Sequence, residues 1–221
     1  MAECEKVIFF DGMEVVQSMK KNPSMKKIID LAAQFVKRIR RLMKGYTEGR
    51  VLFDQYLGQS LKTNTRKKRG DSDNSPTFHI HSDMKIVKLS LKELLASSRT
   101  KTELTEYLSL YLIQNFSTDE KNLIVSYGSR VTANKSDLTD LCDHAHEEAD
   151  TQIPLHVLDI VQKDPKNIVE VWSPDTDVLL LLMDLAASIE GKFCTLSLLT
   201  GKGNKYRTID IFERVKSKCF G

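Results

Sequence analysis

Short, mostly apolar runs recur along the chain: VIFF at 7–10, VLF at 51–53, NLIVSY at 122–127 and IVEVW at 168–172. A strand that is apolar along its whole length, rather than at alternate positions, has both sheet faces covered. The segments between the runs supply the covering helices. Ile28, Leu31, Ala32, Phe35, Ile39 and Leu42 recur at helical spacing, and Gly45 reads as the stop. Residues 147–161 predict a helix with Ala149, Ile153, Val157 and Ile160 inward. Residues 175–187 predict another, opening after Pro174 with Ser173 or Asp175 as its cap. Stretches 89–95 and 103–116 also read as helix, and 193–199 and 206–211 as strands around the turn sequence TGKGN. The expected architecture is one α/β domain over 1–221, a three-layer sandwich with a mainly parallel central sheet.

One stretch breaks this pattern. Residues 58–82 are polar, basic and turn-rich, with Gly70, Asp71, Asp73, Asn74, Ser75 and Pro76 in close succession, and read as a flexible loop or arch inserted in the domain. Within it, Lys62, Arg66, Lys67, Lys68 and Arg69 carry charge with no acid between them. A second basic run, KRIRRLMK, lies at 37–44, whereas acids gather at 137–150 and 175–184. The net charge of +3 argues nothing alone, but separated clusters suit a protein that grips a polyanion while holding cations. No apolar run approaches the ~18–20 residues a spanning helix needs, so no membrane partner is expected. Four cysteines without CxxC spacing suggest neither a disulfide framework nor a zinc ribbon, and the expected compartment is intracellular and reducing. The basic run at 62–69 also suits nuclear import.

Chemistry is suggested by how the apolar runs end. FFD closes at Asp11, LFD at Asp54, and VWSPDTD at Asp175 and Asp177. Parallel strands send their C-terminal ends to one edge of the sheet, where open α/β folds bind ligands. Carboxylates gathered there repel one another unless a cation is present, and hard oxygen ligands suit Mg²⁺ or Mn²⁺. A single such aspartate is also an ordinary turn former or helix cap. HEEADT at 146–151 adds acids at a helix start, which the helix dipole favours by itself. Cys142, His144 and His146 match neither a zinc-finger pair nor HExxH, and no P-loop or Gly-x-Ser-x-Gly elbow is present.

Taken in order, FFDGM, LFDQY with the basic run behind it, HEEADTQ and SPDTDVLLL resemble the PIN-like, flap-endonuclease-type nuclease superfamily. The likeness is closer to metazoan proteins, some near mobile elements, with an EEADT…SPDTDV signature. It implies a PIN-like fold and a nuclease that cleaves DNA or RNA phosphodiesters with metal-activated water. By that resemblance Asp11, Glu148, Asp150, Asp175 and Asp177 would hold Mg²⁺ or Mn²⁺, two ions in the fullest case, and Asp54 is the further catalytic acid. Lys62 and Arg66, with Lys67, Lys68 and Arg69, would bind nucleic acid from the arch. Flap-type nucleases carry a further Gly-Cys-Asp segment leading into a helical module, and Gly221 falls near where it would begin. A truncated or reduced member is therefore expected. The alternative is a catalytically impaired PIN-like domain that binds nucleic acid or serves as a scaffold. A phosphatase or receiver-like domain would also place Asp at strand ends, but the basic run favours a nucleic-acid partner.

Overall fold

The computed structural model describes residues 5–55, 75–116, 121–135, 149–163, 166–189, 195–201 and 205–219. The elements run β1 (Lys6–Asp11), α1 (Gly12–Ser18), α2 (Ile28–Leu42), β2 (Glu48–Leu52), α3 (Leu91–Leu94), α4 (Ser98–Asn115), β3 (Asn122–Tyr127) and β4 (Arg130–Ala133). They continue with α5 (Ala149–Lys163), β5 (Ile168–Trp172), α6 (Thr176–Ser188), β6 (Thr195–Thr200), β7 (Arg207–Asp210) and α7 (Ile211–Cys219). One seven-stranded sheet has the order β4-β3-β2-β1-β5-β6-β7. The five inner strands are parallel, and β4 and β7 close the two edges antiparallel.

β1 lies at the centre, between β2 and β5, which is why its interior is wholly apolar. Its side chains alternate between two cores. Ile8 and Phe10 join α1, α2 and α4 on one face. Val7 and Phe9 join α5, α6 and α7 on the other. Helices of the first two crossovers therefore cover one face and later ones the opposite face, as in doubly wound sheets. α2 spans the range its periodicity predicts, with Ile28, Leu31, Ala32, Phe35 and Ile39 fully buried. It ends where Gly45 takes φ 87°, a left-handed turn that glycine enters without a Cβ clash. Gly12 serves packing instead: a Cβ there would meet the Phe53 ring at 2.5 Å, so the FDG sequence lets α1 start hard against β2's exit.

Three parts depart from the sequence expectation. The first is residues 75–82, assigned to the flexible insertion but packed: the Phe78 amide donates to Thr100 Oγ1 at 2.9 Å, and Ile80 is buried. Ser82 and Met84 offer carbonyls to the first amides of α2, so this stretch caps that helix. The rest of the insertion, 58–74, lies outside the described residues. The second is Leu180: the unbroken apolar run from Val178 to Met183 reads as core, yet Leu180 stands 57% exposed. The third is β2, which starts at Glu48 because its polar residues are buried in an ion cluster.

Arg50, fully buried in β2, donates from Nε to Glu48 at 2.6 Å, from Nη2 to Asp159 at 2.6 Å and from Nη1 to the His156 carbonyl at 3.0 Å. Its guanidinium also lies 5.8 Å from the Phe9 ring centre. Burial alone would raise the Asp159 pKa, but the charge and hydrogen bond of Arg50, with help from Lys163, hold it below the ordinary carboxylate value. Asp159 and His156 belong to α5, so the cluster pins that helix to the sheet. No described helix is long and apolar enough to cross a membrane.

Removing the cation from this cluster would leave two carboxylates facing each other with little water. Arg50→Met is expected to lower stability by about 3–5 kcal/mol in urea denaturation. Adding Glu48→Gln and Asp159→Asn should recover much of that loss. A single substitution costing under ~1 kcal/mol would show that the cluster does not hold α5.

Candidate functional site

The five parallel strands direct their C-terminal ends to one edge, and the winding direction reverses at β1. That reversal opens the crevice in which such sheets bind ligands. Asp11 is the last residue of β1 and pairs in register with Leu52, the last of β2, so Asp54 projects two residues beyond. On the other side Phe10 pairs with Trp172. Asp11 is thus level with Ser173, and Asp175 also lies two residues farther out.

Three of these carboxylates each cap a helix with one oxygen. Asp11 Oδ1 accepts from the amides of Met13 at 2.8 Å and Glu14 at 3.0 Å, at the start of α1. Asp175 Oδ1 accepts from Asp177 N at 2.9 Å, at the start of α6. Asp54 Oδ1 accepts from Ala149 N at 2.8 Å, capping α5 from 95 residues away. The positive helix ends favour each carboxylate. Among the described residues, Oδ2 of Asp11, Asp54 and Asp175 has no hydrogen-bond partner, and no Lys or Arg pairs with these three acids. The caps therefore account for half of each carboxylate.

The bond from α5 to Asp54 also brings Asp150 to the strand ends. Gln152, one turn along, is buried; it accepts from Ser126 Oγ at 2.6 Å and lies 3.4 Å from the Phe53 carbonyl. The first turn of α5 is so tied to the exits of β2 and β3. Pro154 has no N–H to offer the Asp150 carbonyl. Asp54 and Asp150 lie close enough to Asp11 to influence its charge. Burial raises the Asp11 pKa most, amides of Glu14 and Met13 offset part of that, and the Asp54 and Asp150 carboxylates raise it further, to about 7.

The structure thus brings together Asp11, Asp54 and Asp150. Asp175 and Asp177 stand exposed beyond the neighbouring strand end. Glu148, the arch cations Lys62, Arg66, Lys67, Lys68 and Arg69, and Cys142, His144 and His146 lie outside the described residues. Among the described residues, no three His, Cys, Asp or Glu side chains already close around a point where a metal ion could sit. The donor chemistry nonetheless fits a hard cation, since every group offered is a carboxylate oxygen. Beside Asp54 a cavity of about 310 Å³ opens between α4 and the β3–β4 turn, with Thr105, Glu106, Tyr127 and Arg130 in its wall. Gln152 and Ser126 were not singled out from sequence; a glutamine inside the apolar stripe of a helix is the signal that marks such a tie. No family model matches the chain, and no curated protein sequence matches it.

The raised Asp11 pKa sets a pH dependence. Below about pH 4 the group is neutral whether the chain is folded or unfolded, so it carries no penalty. As pH rises towards about 7 the unfolded chain ionises first, and folded stability falls. Asp11→Asn retains a capping oxygen and removes the charge. In thermal unfolding with EDTA it should match wild type near pH 4 and exceed it by several degrees near pH 8. A constant offset at every pH would contradict the assignment.

Proposed function

We propose that this chain is a divalent-metal-dependent nuclease of PIN-like type, hydrolysing phosphodiester bonds of DNA or RNA with metal-activated water. The observation that carries the reading is the meeting of Asp11, Asp54 and Asp150 at the switch point of the sheet. There Asp11 and Asp54 each keep one carboxylate oxygen free of the helix caps. The motif resemblance supports it, because these acids fall in the FFDGM, LFDQY and HEEADTQ blocks. Asp11, Asp54 and Asp150, joined by Glu148, Asp175 and Asp177, would hold Mg²⁺ or Mn²⁺. When bound, such an ion neutralises charge on the phosphate and acidifies water. The chain's own residues do the rest. The helix caps fix the direction of each carboxylate, and the Ser126–Gln152 bond fixes α5 relative to the strand ends. Lys62, Arg66, Lys67, Lys68 and Arg69 would steady the phosphate without a proton transfer.

One observation favours a second reading, a catalytically impaired PIN-like domain that binds nucleic acid or acts as a scaffold. Asp175 and Asp177 are exposed, whereas Asp11, Asp54 and Asp150 are half-buried.

A nuclease assay with Mg²⁺ or Mn²⁺ on flap DNA, linear DNA and RNA separates the two. Cleavage is expected, with a loss of about 100-fold or more in Asp175→Asn/Asp177→Asn. Activity unchanged by that double substitution would remove those residues from the site. Salt-sensitive binding without cleavage would establish the second reading.

A further inference from the structure

The basic run at 37–44 has no part in the strand-end site. It lies in the second half of α2, where Lys37 and Arg41 are on the exposed side opposite the buried Leu31, Phe35 and Ile39, and half-buried Arg38 flanks the apolar face. With Lys20, beyond α1, these three line a pocket of about 300 Å³ that no acid lines. None of the four cations forms an ion pair with an acid among the described residues.

Next to this pocket, and sharing Ser18 and Arg38 with it, is a larger groove of about 520 Å³. The groove exists because the helices cover the sheet unequally. On the face that carries α1, α2 and α4, no described helix lies over β5 and β6; α6 and α7 both pack on the opposite face. The floor there is Trp172 and Leu199, with Tyr46 and Tyr206 in the walls. Tyr206 is 51% exposed, and the Trp172 ring meets Phe10 edge-on at 6.4 Å. Two acids are near. Glu14 lines the groove, and Glu170 is engaged by the Tyr46 hydroxyl and by Lys6 at 3.6 Å. Pro174, the residue before Asp175, lines the same groove.

We infer that this basic pocket and aromatic groove form one binding track for single-stranded nucleic acid, with the backbone on Lys20, Lys37, Arg38 and Arg41 and unpaired bases against Trp172, Tyr46 and Tyr206. Two features together select this ligand. Clustered cations, unpaired among the described residues, suit a phosphate chain, and adjoining aromatic rings suit bases that are free to stack. A duplex keeps its bases inside and could use only the cations. The inference shares with the proposed function the premise of a nucleic-acid ligand, but it does not require the metal site.

Trp172 is the chain's only tryptophan, so its emission reports on the groove directly. The test titrates the 221-residue chain, in EDTA, with oligo(dT) and oligo(rU), with duplex DNA, and with poly-glutamate. Saturable quenching by either single strand is expected, with none from the duplex or poly-glutamate. Lys37→Ala/Arg41→Ala, both exposed positions, should reduce the slope of log K against log[salt] by about 1.4, so that log K falls by about 0.8 less between about 50 and 200 mM salt. Tyr206→Ala should weaken binding roughly 10-fold or more. Absence of quenching by both single strands, or binding unchanged in these variants, would overturn the track. Equal quenching by poly-glutamate would overturn the nucleic-acid assignment in favour of acidic peptide. Cleavage with Mg²⁺ but no quenching would end this inference and leave the proposed function standing; quenching without cleavage would do the reverse.

Discussion

The placement of the site depends on the buried charge of Arg50. A guanidinium with no solvent exposure is tolerated only when its donors are met, and Glu48, Asp159 and the His156 carbonyl meet them. Two of those partners belong to α5, a helix whose inward face is otherwise largely apolar and would by itself allow it to slide. A directional ion cluster at one point of the helix and the Ser126–Gln152 bond near its start fix both its position and its rotation. The amide of Ala149 is then within reach of Asp54, and Asp150 comes to the end of β1. The carboxylates at the switch point are therefore held together by charge buried several residues below them.

The same winding that gathers the strand ends leaves the molecule asymmetric. On one face α1, α2 and α4 cover β1, β2 and β3 and stop short of β5 and β6. On the other, α5, α6 and α7 form a continuous layer. The half-covered face exposes aromatic residues beside the cationic side of α2, and its groove reaches Pro174 next to the candidate acids. The candidate acids and the proposed single-strand track thus occupy different faces of one edge.

Much of the architecture is legible in the sequence because it rests on local pattern. The period of α2, the unbroken apolar run of β1 and the proline-led start of α6 each reflect burial that neighbours in sequence share. Asp175 was expected as a cap and is one. What was not legible depends on distant partners. Arg50 in EGRVL looks like a solvent residue until Asp159, 109 positions later, is placed beside it. Edge strand β4 and the short helix α1 carry too few apolar residues to declare themselves. Residues 75–82 look like open loop because they are polar, yet their backbone carbonyls and amides complete α2 and α4. Within the site, the strand-end rule applied to Asp11 and Asp54. It did not anticipate that Asp175 and Asp177 would be exposed, since exposure is a property of the assembled sheet.

Anomalous diffraction from crystals grown with Mn²⁺ tests most directly the proposal that Asp11, Asp54 and Asp150 share one divalent cation. The account predicts a manganese peak at the C-terminal edge of β1, about 2.0–2.3 Å from the free carboxylate oxygens of Asp11 and Asp54, with Asp150 beside it. A structure in which these three acids are ordered at saturating Mn²⁺ with no peak between them would contradict it.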